Sequence, residues 1–126
     1  MNRNVLIAIA GLIAVVLALS LWSSRQDTEV ASSDKYKVGF IYIGPPGDHG
    51  WNYQHDVGRK AVEEAYGDKV ETVFQENVPE SADAERVMSQ MALAGTDMIF
   101  ATSFGYMDPV INVAKKFPGV KFEHAT

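Results

Sequence analysis

Residues 37–53 read KVGFIYIGPPGDHGWNY, and they are the most informative part of the sequence for the fold. Residues 37–43 are mostly apolar, a composition typical of a strand that is buried on both faces. A loop rich in Gly and Pro follows, and a helical pattern begins directly after it. A strand, a Gly-rich loop and a helix in direct succession predict the first unit of an α/β fold.

Strand and helix patterns alternate along the rest of the chain. Further strands are predicted over residues 69–74, 97–102 and 120–123. Helices are predicted over residues 52–66, over residues 82–94 with Ser81 as the cap and Gly95 as the stop, and over residues 109–117 with Asp108 as the cap. The order β-α-β-α-β-α-β predicts a parallel sheet with helices on both faces and the spatial strand order 2-1-3-4.

Each predicted helix carries an apolar stripe at spacings of three and four residues, and this stripe is expected to face the sheet. In the first helix the stripe is Val57, Ala61, Val62 and Ala65, which leaves Arg59 on the solvent side. In the second helix the stripe is Ala84, Val87, Met88 and Met91. In the third helix it is Val110, Val113, Ala114 and Phe117.

The N-terminal segment has the pattern of an export signal. Arg3 precedes 18 uncharged positions, residues 5–22, and small residues stand at Ala18 and Ser20. This pattern fits a secretory signal peptide, and its length also suits an uncleaved membrane anchor. Both readings export the remainder, to the periplasm or to the outer face of the cytoplasmic membrane. We therefore expect three parts: a signal peptide or N-terminal membrane anchor at residues 1–26, a linker at 27–35 and an α/β lobe at 36–126.

The composition excludes several classes of function. The net charge of −5 and the lack of a basic patch argue against a nucleic-acid partner. The chain has no Cys, which excludes disulfides, thiol nucleophiles and lipoprotein acylation. His49, His55 and His124 match no standard zinc spacing, so we expect surface histidines and no metal. The pair Glu76 and Glu80 is expected to be a solvated charge cluster.

Polar and aromatic residues follow the first and third predicted strands, and they form the candidate ligand site. They are Asp48, Trp51 and Asn52 after the first strand and Ser103, Phe104 and Asp108 after the third. In an open α/β sheet, ligands bind in the crevice at the carboxyl ends of the strands. Carboxylate and amide groups supply hydrogen bonds there, and an aromatic ring supplies a stacking face. The structural alternatives are that both acids only cap helices and that the Trp ring only packs.

The chain resembles the basic membrane protein (Bmp/Med) family of ABC-transporter substrate-binding proteins over roughly residues 36–126. The resemblance rests on the segments VGFIY at 38–42, DHGWN at 48–52, DAER at 83–86, FATSFGY at 100–106 and VAKKFP at 113–118. An Asp-x-Gly-aromatic-Asn segment with a Gly-aromatic loop after the third strand is the more specific part of the likeness.

This resemblance implies a two-lobed periplasmic-binding-protein fold that holds a ligand, often a purine nucleoside, in the cleft between lobes. It implies a substrate-binding component of an ABC importer with a permease as partner, no catalytic activity and no cofactor. Asp48, Trp51 and Asn52 would then belong to the first-lobe ligand site, with a contribution from the loop around Phe104. Such a protein needs roughly twice this length or more, so we expect a truncated first lobe.

Two other classes of protein use the same kind of fold. One is a membrane-tethered small-molecule sensor or receptor ectodomain, held by an uncleaved apolar segment at residues 5–22. The other is an enzyme of the flavodoxin-like class. A mature N-terminus at Leu21 would favour the free carrier over the tethered sensor, and turnover of a nucleoside would favour the enzyme.

Overall fold

The computed structural model describes residues 35–126. Residues 1–34 lie outside the described part, and with them the predicted signal peptide or anchor and nearly all of the predicted linker. Within residues 35–126, no helix is both long enough and apolar enough to cross a membrane.

Four strands and three helices alternate along the described residues. The strands are β1 (Tyr36–Ile41), β2 (Val70–Gln75), β3 (Met98–Ala101) and β4 (Lys121–His124). The helices are α1 (Trp51–Tyr66), α2 (Ala82–Leu93) and α3 (Met107–Lys116), and short 3-10 turns at Pro46–Asp48 and Phe104–Tyr106 precede α1 and α3. All strand pairs are parallel, in the order β2-β1-β3-β4. The predicted fold class and strand order are therefore confirmed.

Helices α2 and α3 cover one face of the sheet and enclose its main core. The buried side chains of this core are Ile41, Val78, Ala84, Met88, Ile99, Ala101, Tyr106, Val110 and Val113. Gly39 of β1 permits the close approach of α2, because a Cβ at this position would lie 3.0 Å from Met91 Sδ. The whole stripe predicted for α2 faces this core, and so do Val110, Val113 and Phe117 of the stripe predicted for α3.

The ends of α2 follow the sequence signals. The Ser81 hydroxyl accepts a hydrogen bond from the backbone N–H of Asp83 at 3.2 Å, so Ser81 is the predicted cap. Gly95 follows the last helical turn with a φ of 80°, in the left-handed region that favours glycine. The chain can therefore leave α2 and enter β3 within a few residues.

Helix α1 lies on the opposite face, and the apolar stripe predicted for it is wrong. Its buried residues are Asn52, Asp56 and Arg59. Val57 is 42% exposed, and Ala61 and Ala65 are exposed as well, with Val62 partly buried. The buried polar residues follow each other at spacings of four and three, so they share one side of the helix. This side faces the sheet because the neighbouring strands offer partners to its charged groups.

A buried ion network joins α1 to the sheet. Arg59 Nε donates to Asp56 Oδ1 at 2.8 Å, and Arg59 Nη1 donates to Thr72 Oγ1 at 2.9 Å. Asp56 also pairs with Lys60 Nζ at 2.8 Å and accepts a longer bond, 3.4 Å, from the Tyr42 hydroxyl. Burial alone would raise the pKa of the Asp56 carboxyl, but the bonds from Lys60 and Arg59 outweigh burial and lower this pKa. The charges are tolerated in the interior because they are paired.

Candidate functional site

The loops after β1, β2 and β3 meet at the carboxyl edge of the sheet. In the order β2-β1-β3-β4, the chain leaves β1 for β2 on one side and later crosses to β3 on the other. The gap between the ends of β1 and β3 is therefore the topological switch point, the usual ligand position in open α/β sheets. The segments that follow these two strands contain all the residues predicted for the site.

Asp48 holds the start of α1 with both of its carboxylate oxygens. Oδ1 accepts hydrogen bonds from the N–H of Gly50 at 2.8 Å and of Tyr53 at 3.0 Å. Oδ2 accepts from the backbone N–H of Asn52 at 3.2 Å and from Asn52 Nδ2 at 2.7 Å. These bonds lower the pKa of Asp48 to about 2, and the bond from Gly50 has the largest effect on this pKa. The capping role that the sequence left open for Asp48 is thus present in the structure.

Asn52 braces the loop between β1 and α1. Its side chain is buried, with 5% of the residue exposed. Its Oδ1 accepts a bond from the N–H of Gly44 at 3.4 Å, and its Nδ2 donates to Asp48. A Cβ on Gly44 would lie only 2.9 Å from Asn52 Nδ2, so the loop passes close to this amide. The amide therefore fixes the two ends of the loop relative to each other.

Trp51 connects the loop after β1 to the end of β3. Its indole Nε1 donates a hydrogen bond to the carbonyl of Thr102 at 2.7 Å. The ring meets the His55 ring edge-on with centroids 4.7 Å apart, and burial there lowers the pKa of His55. Trp51 is nevertheless 47% exposed. One edge of the indole is anchored while part of its surface remains open for stacking.

The loop after β3 is held by Glu80, which is exposed as predicted but is also hydrogen-bonded to this loop. Glu80 Oε1 accepts hydrogen bonds from the Ser103 hydroxyl and, at 2.8 Å, from the N–H of Gly105. These bonds lower the pKa of the Glu80 carboxyl, and the bond from Ser103 has the larger effect on this pKa. Between them Phe104 projects into solvent and is 70% exposed, whereas Ser103 is buried.

Further hydrogen bonds fix this loop to the strands on either side. Thr102 Oγ1 donates to the carbonyl of Ile41 at 2.8 Å, and the Tyr106 hydroxyl donates to the carbonyl of Val78. His124 Nε2 lies 2.7 Å from the carbonyl of Ser103, and His124 is partly buried, so it is not the fully solvated histidine that was predicted. The loop is thereby tied to segments at the ends of all four strands.

Asp108 does not cap α3, contrary to the prediction. The helix begins at Met107 with Tyr106 as its N-cap residue, and no side chain caps it. The 3-10 turn at Phe104–Tyr106 runs directly into the helix, and the N–H of Met107 bonds to the carbonyl of Phe104. The helix therefore starts earlier than the Asp-Pro pair indicates. Asp108 lies exposed in its first turn, where a negative charge is favourable.

The site as a whole offers two partly open aromatic faces beside exposed carboxylates. Trp51 and Phe104 supply the faces, and Glu80 and Asp108 supply the acids. Among residues 35–126, no group of three or more potential metal ligands is close enough to hold an ion. The arrangement suits a flat, neutral molecule that carries hydrogen-bond donors. The site residue that sequence reasoning missed is Glu80. It follows the second strand in a loop that has no helix or strand pattern of its own.

Comparison with known proteins relates the chain to transport proteins. Residues 35–125 match the family described as ABC transporter substrate-binding protein PnrA-like. A purine-binding protein of Brucella abortus is 68% identical over 95 residues, which are 75% of this chain and 27% of that protein. A Haloferax volcanii protein whose name describes an ABC transporter glucose-binding protein is 44% identical over 96 residues, 76% of this chain and 24% of that one. The chain spans about a quarter of the length of the curated relatives it matches.

A solved structure shares the architecture. The ABC transporter solute-binding protein of Aeropyrum pernix K1 superposes with a TM-score of 0.61 at 28% sequence identity. The match covers 70% of this chain and 24% of that chain. The α/β lobe described above is thus similar to part of a larger solute-binding protein.

Proposed function

The chain belongs to the PnrA-like family of ABC transporter substrate-binding proteins, and we propose that it forms the first lobe of a two-lobed protein that captures a purine nucleoside for an ABC importer. The observation that carries the proposal is the hydrogen bond from Trp51 Nε1 to the carbonyl of Thr102. This bond joins the loop after β1 to the loop after β3. Trp51 and residues 102–105 then form one surface, the wall, on which the rings of Trp51 and Phe104 are exposed.

Each predicted site residue has a role in this proposal. Trp51 and Phe104 stack on the purine base, which is worth roughly 1–3 kcal/mol per aromatic contact. Asp108 accepts a hydrogen bond from the ligand at the rim. The remaining residues keep the two loops in position through bonds inside the wall; they are Asp48, Asn52 and Ser103.

The ligand class is supported by chemistry and by one relative. Two aromatic faces suit a flat base better than a small ion, and carboxylates suit its N–H and hydroxyl donors. The Brucella abortus relative is named as purine-binding, and it shares 68% identity over the matched segment. The name of the Haloferax volcanii relative points to glucose, which also stacks on aromatic rings. Glucose is therefore the competing ligand in the test below.

The family to which the chain belongs is extracytoplasmic and consists of binding proteins rather than enzymes. We propose that the protein works in the periplasm or attached to the outer face of the cytoplasmic membrane. There it would deliver its ligand to an ABC permease, and the second lobe would close over the ligand by a hinge motion. A tethered sensor with the same lobe is the alternative; the apolar run at residues 5–22 favours it if that run is retained as an anchor.

We expect Trp51→Ala and Phe104→Ala each to weaken nucleoside binding by about tenfold to a hundredfold, because each removes a stacking face. Calorimetry of the full-length protein with adenosine, guanosine, inosine and glucose measures this. Trp51→Phe keeps a ring but not the Nε1 donor, so it separates stacking from the bond to Thr102. The matched control is Tyr66→Ala, which removes an aromatic ring that is 55% exposed at the far end of α1.

Binding of glucose and of no nucleoside would contradict the ligand class and leave the transport family intact. Equal affinities for the wild type, Trp51→Ala and Phe104→Ala would contradict the position of the site. A loss in Tyr66→Ala as large as in Trp51→Ala would mean that the effect is not specific to the wall at the switch point.

A further inference from the structure

One oxygen of the Glu80 carboxylate is hydrogen-bonded to the protein, and the other accepts no hydrogen bond within the described residues. Oε1 accepts the bonds from the Ser103 hydroxyl and the Gly105 N–H. Oε2 accepts no hydrogen bond from any residue within 35–126, and the side chain is exposed. A carboxylate oxygen has two acceptor sites, so Oε2 is open to an external donor.

The open oxygen belongs to the same wall as the aromatic faces. The two groups that hold Glu80 come from Ser103 and Gly105, the neighbours of Phe104 in the chain. The residue before Ser103 is Thr102, whose carbonyl receives the indole N–H of Trp51. A Cβ on Gly105 would lie 2.5 Å from Glu80 Cδ, so the loop and the carboxylate are packed closely. The position of Glu80 is therefore set by the loop that presents Phe104.

Within residues 35–126, neither of the other two acids predicted or found at the site, Asp48 and Asp108, is both fixed and open. Both oxygens of Asp48 already accept bonds from the start of α1. Asp108 is exposed but makes no capping bond that fixes it. Glu80 alone among these three combines a hydrogen-bonded position with a free acceptor oxygen. A pre-positioned acceptor loses less entropy on binding than a mobile one and so discriminates better between ligands.

We propose that Glu80 determines ligand specificity by accepting hydrogen bonds from the vicinal hydroxyls of the sugar ring of a nucleoside. The inference rests on the function proposed above. Glu80 follows β2, the strand beside β1 in the sheet. In dinucleotide-binding folds an acid downstream of the phosphate-binding turn accepts a bond from the ribose hydroxyl, which supports the assignment by analogy. Stacking on Trp51 and Phe104 then selects the base, and Glu80 selects the ribose.

The test compares two ligands in the wild type and in Glu80→Gln. Gln keeps a carbonyl oxygen for Ser103 and Gly105, so the loop is retained, but an uncharged NH2 donor replaces the open acceptor oxygen. We expect Glu80→Gln in the full-length protein to weaken inosine binding by about tenfold to a hundredfold, as for loss of a charge-assisted hydrogen bond. Binding of 2′,3′-dideoxyinosine, which lacks both hydroxyls, should change by less than about threefold.

The matched control is Glu76→Gln, which removes a nearby negative charge whose side chain bonds to no described residue; it should leave both affinities unchanged. An equal loss for inosine and dideoxyinosine in Glu80→Gln would overturn the proposal, because Glu80 would then act only by positioning the loop. Equal binding of inosine by wild type and Glu80→Gln would overturn it while leaving the proposed function standing. A wild type that binds neither ligand would overturn both.

Discussion

Met88→Asp is expected to abolish cooperative folding of the lobe. Met88 is fully buried in the core between α2 and the sheet. Replacement by Ala at such a site costs roughly 2–5 kcal/mol, and an unpaired carboxylate adds the cost of burying a charge. Domains of this size are stable by only about 5–15 kcal/mol, so most of the stability would be lost. Urea unfolding followed by circular dichroism measures the change.

Leu93→Asp is the matched control for this variant. Leu93 is the last residue of α2 and is 77% exposed. The same change there adds a negative charge at a helix C-terminus, which costs about 1 kcal/mol or less. A Met88→Asp protein that unfolds at the same urea concentration as Leu93→Asp would show that the orientation of α2 is wrong.

Arg59→Ala is expected to destabilise the lobe by about 3–5 kcal/mol, the usual cost of breaking a buried ion pair from one side. The change removes the buried cationic partner of Asp56 and the donor to Thr72. It also removes the guanidinium that lies 4.7 Å from the ring centre of Phe74. Lys60 would remain beside Asp56, but on the exposed side of the pair. The free energy of unfolding from urea titrations gives the magnitude.

Arg86→Ala provides a closely matched comparison. Arg86 pairs with Asp83 at 2.9 Å in α2 with the same spacing of three residues as Asp56 and Arg59 in α1. Both partners of the α2 pair are about half exposed, so we expect a cost of at most about 1 kcal/mol. Similar losses for Arg59→Ala and Arg86→Ala would contradict the burial of the α1 pair.

The sheet was predictable because its strands carry their own signal. Residues 37–43 and 97–102 are mostly apolar runs; β3 lies within the second run, and β1 begins one residue before the first run, at Tyr36. The stripe of α2 was predictable for a similar reason, since Met88 and its apolar neighbours have no polar competitor on that side. Strand order followed from the alternation of elements, which leaves few allowed connections.

The face of α1 was not predictable from apolar spacing. The apolar spacing of Val57, Ala61 and Ala65 indicates the buried side of α1 only if that buried side is apolar. Here the buried side is polar, and it is stable because Asp56 and Arg59 pair with each other and also bond to Tyr42 and Thr72 outside α1. Tyr42 and Thr72 lie 14 and 13 residues away from their partners, so the helical pattern of α1 does not contain them.

The candidate site was also predictable only in part. The positions of the loops at the ends of β1 and β3 followed from topology. The bonds inside the wall did not, because Trp51 meets Thr102 across 51 residues of chain and Glu80 meets Ser103 across 23. Such contacts decide which acid caps a helix and which acid keeps an oxygen free to accept a hydrogen bond from a ligand. For that reason Glu80, and not Asp48, has the open oxygen.

We propose that the wall formed by Trp51 and the Phe104 loop binds a purine nucleoside. The most direct test is to purify the full-length protein from its native source under mild conditions, denature it and identify the released small molecule by mass spectrometry. We predict a purine nucleoside in the wild type and its loss from a Trp51→Ala, Phe104→Ala double variant. Release of a sugar such as glucose, or equal nucleoside content in both proteins, would contradict the claim.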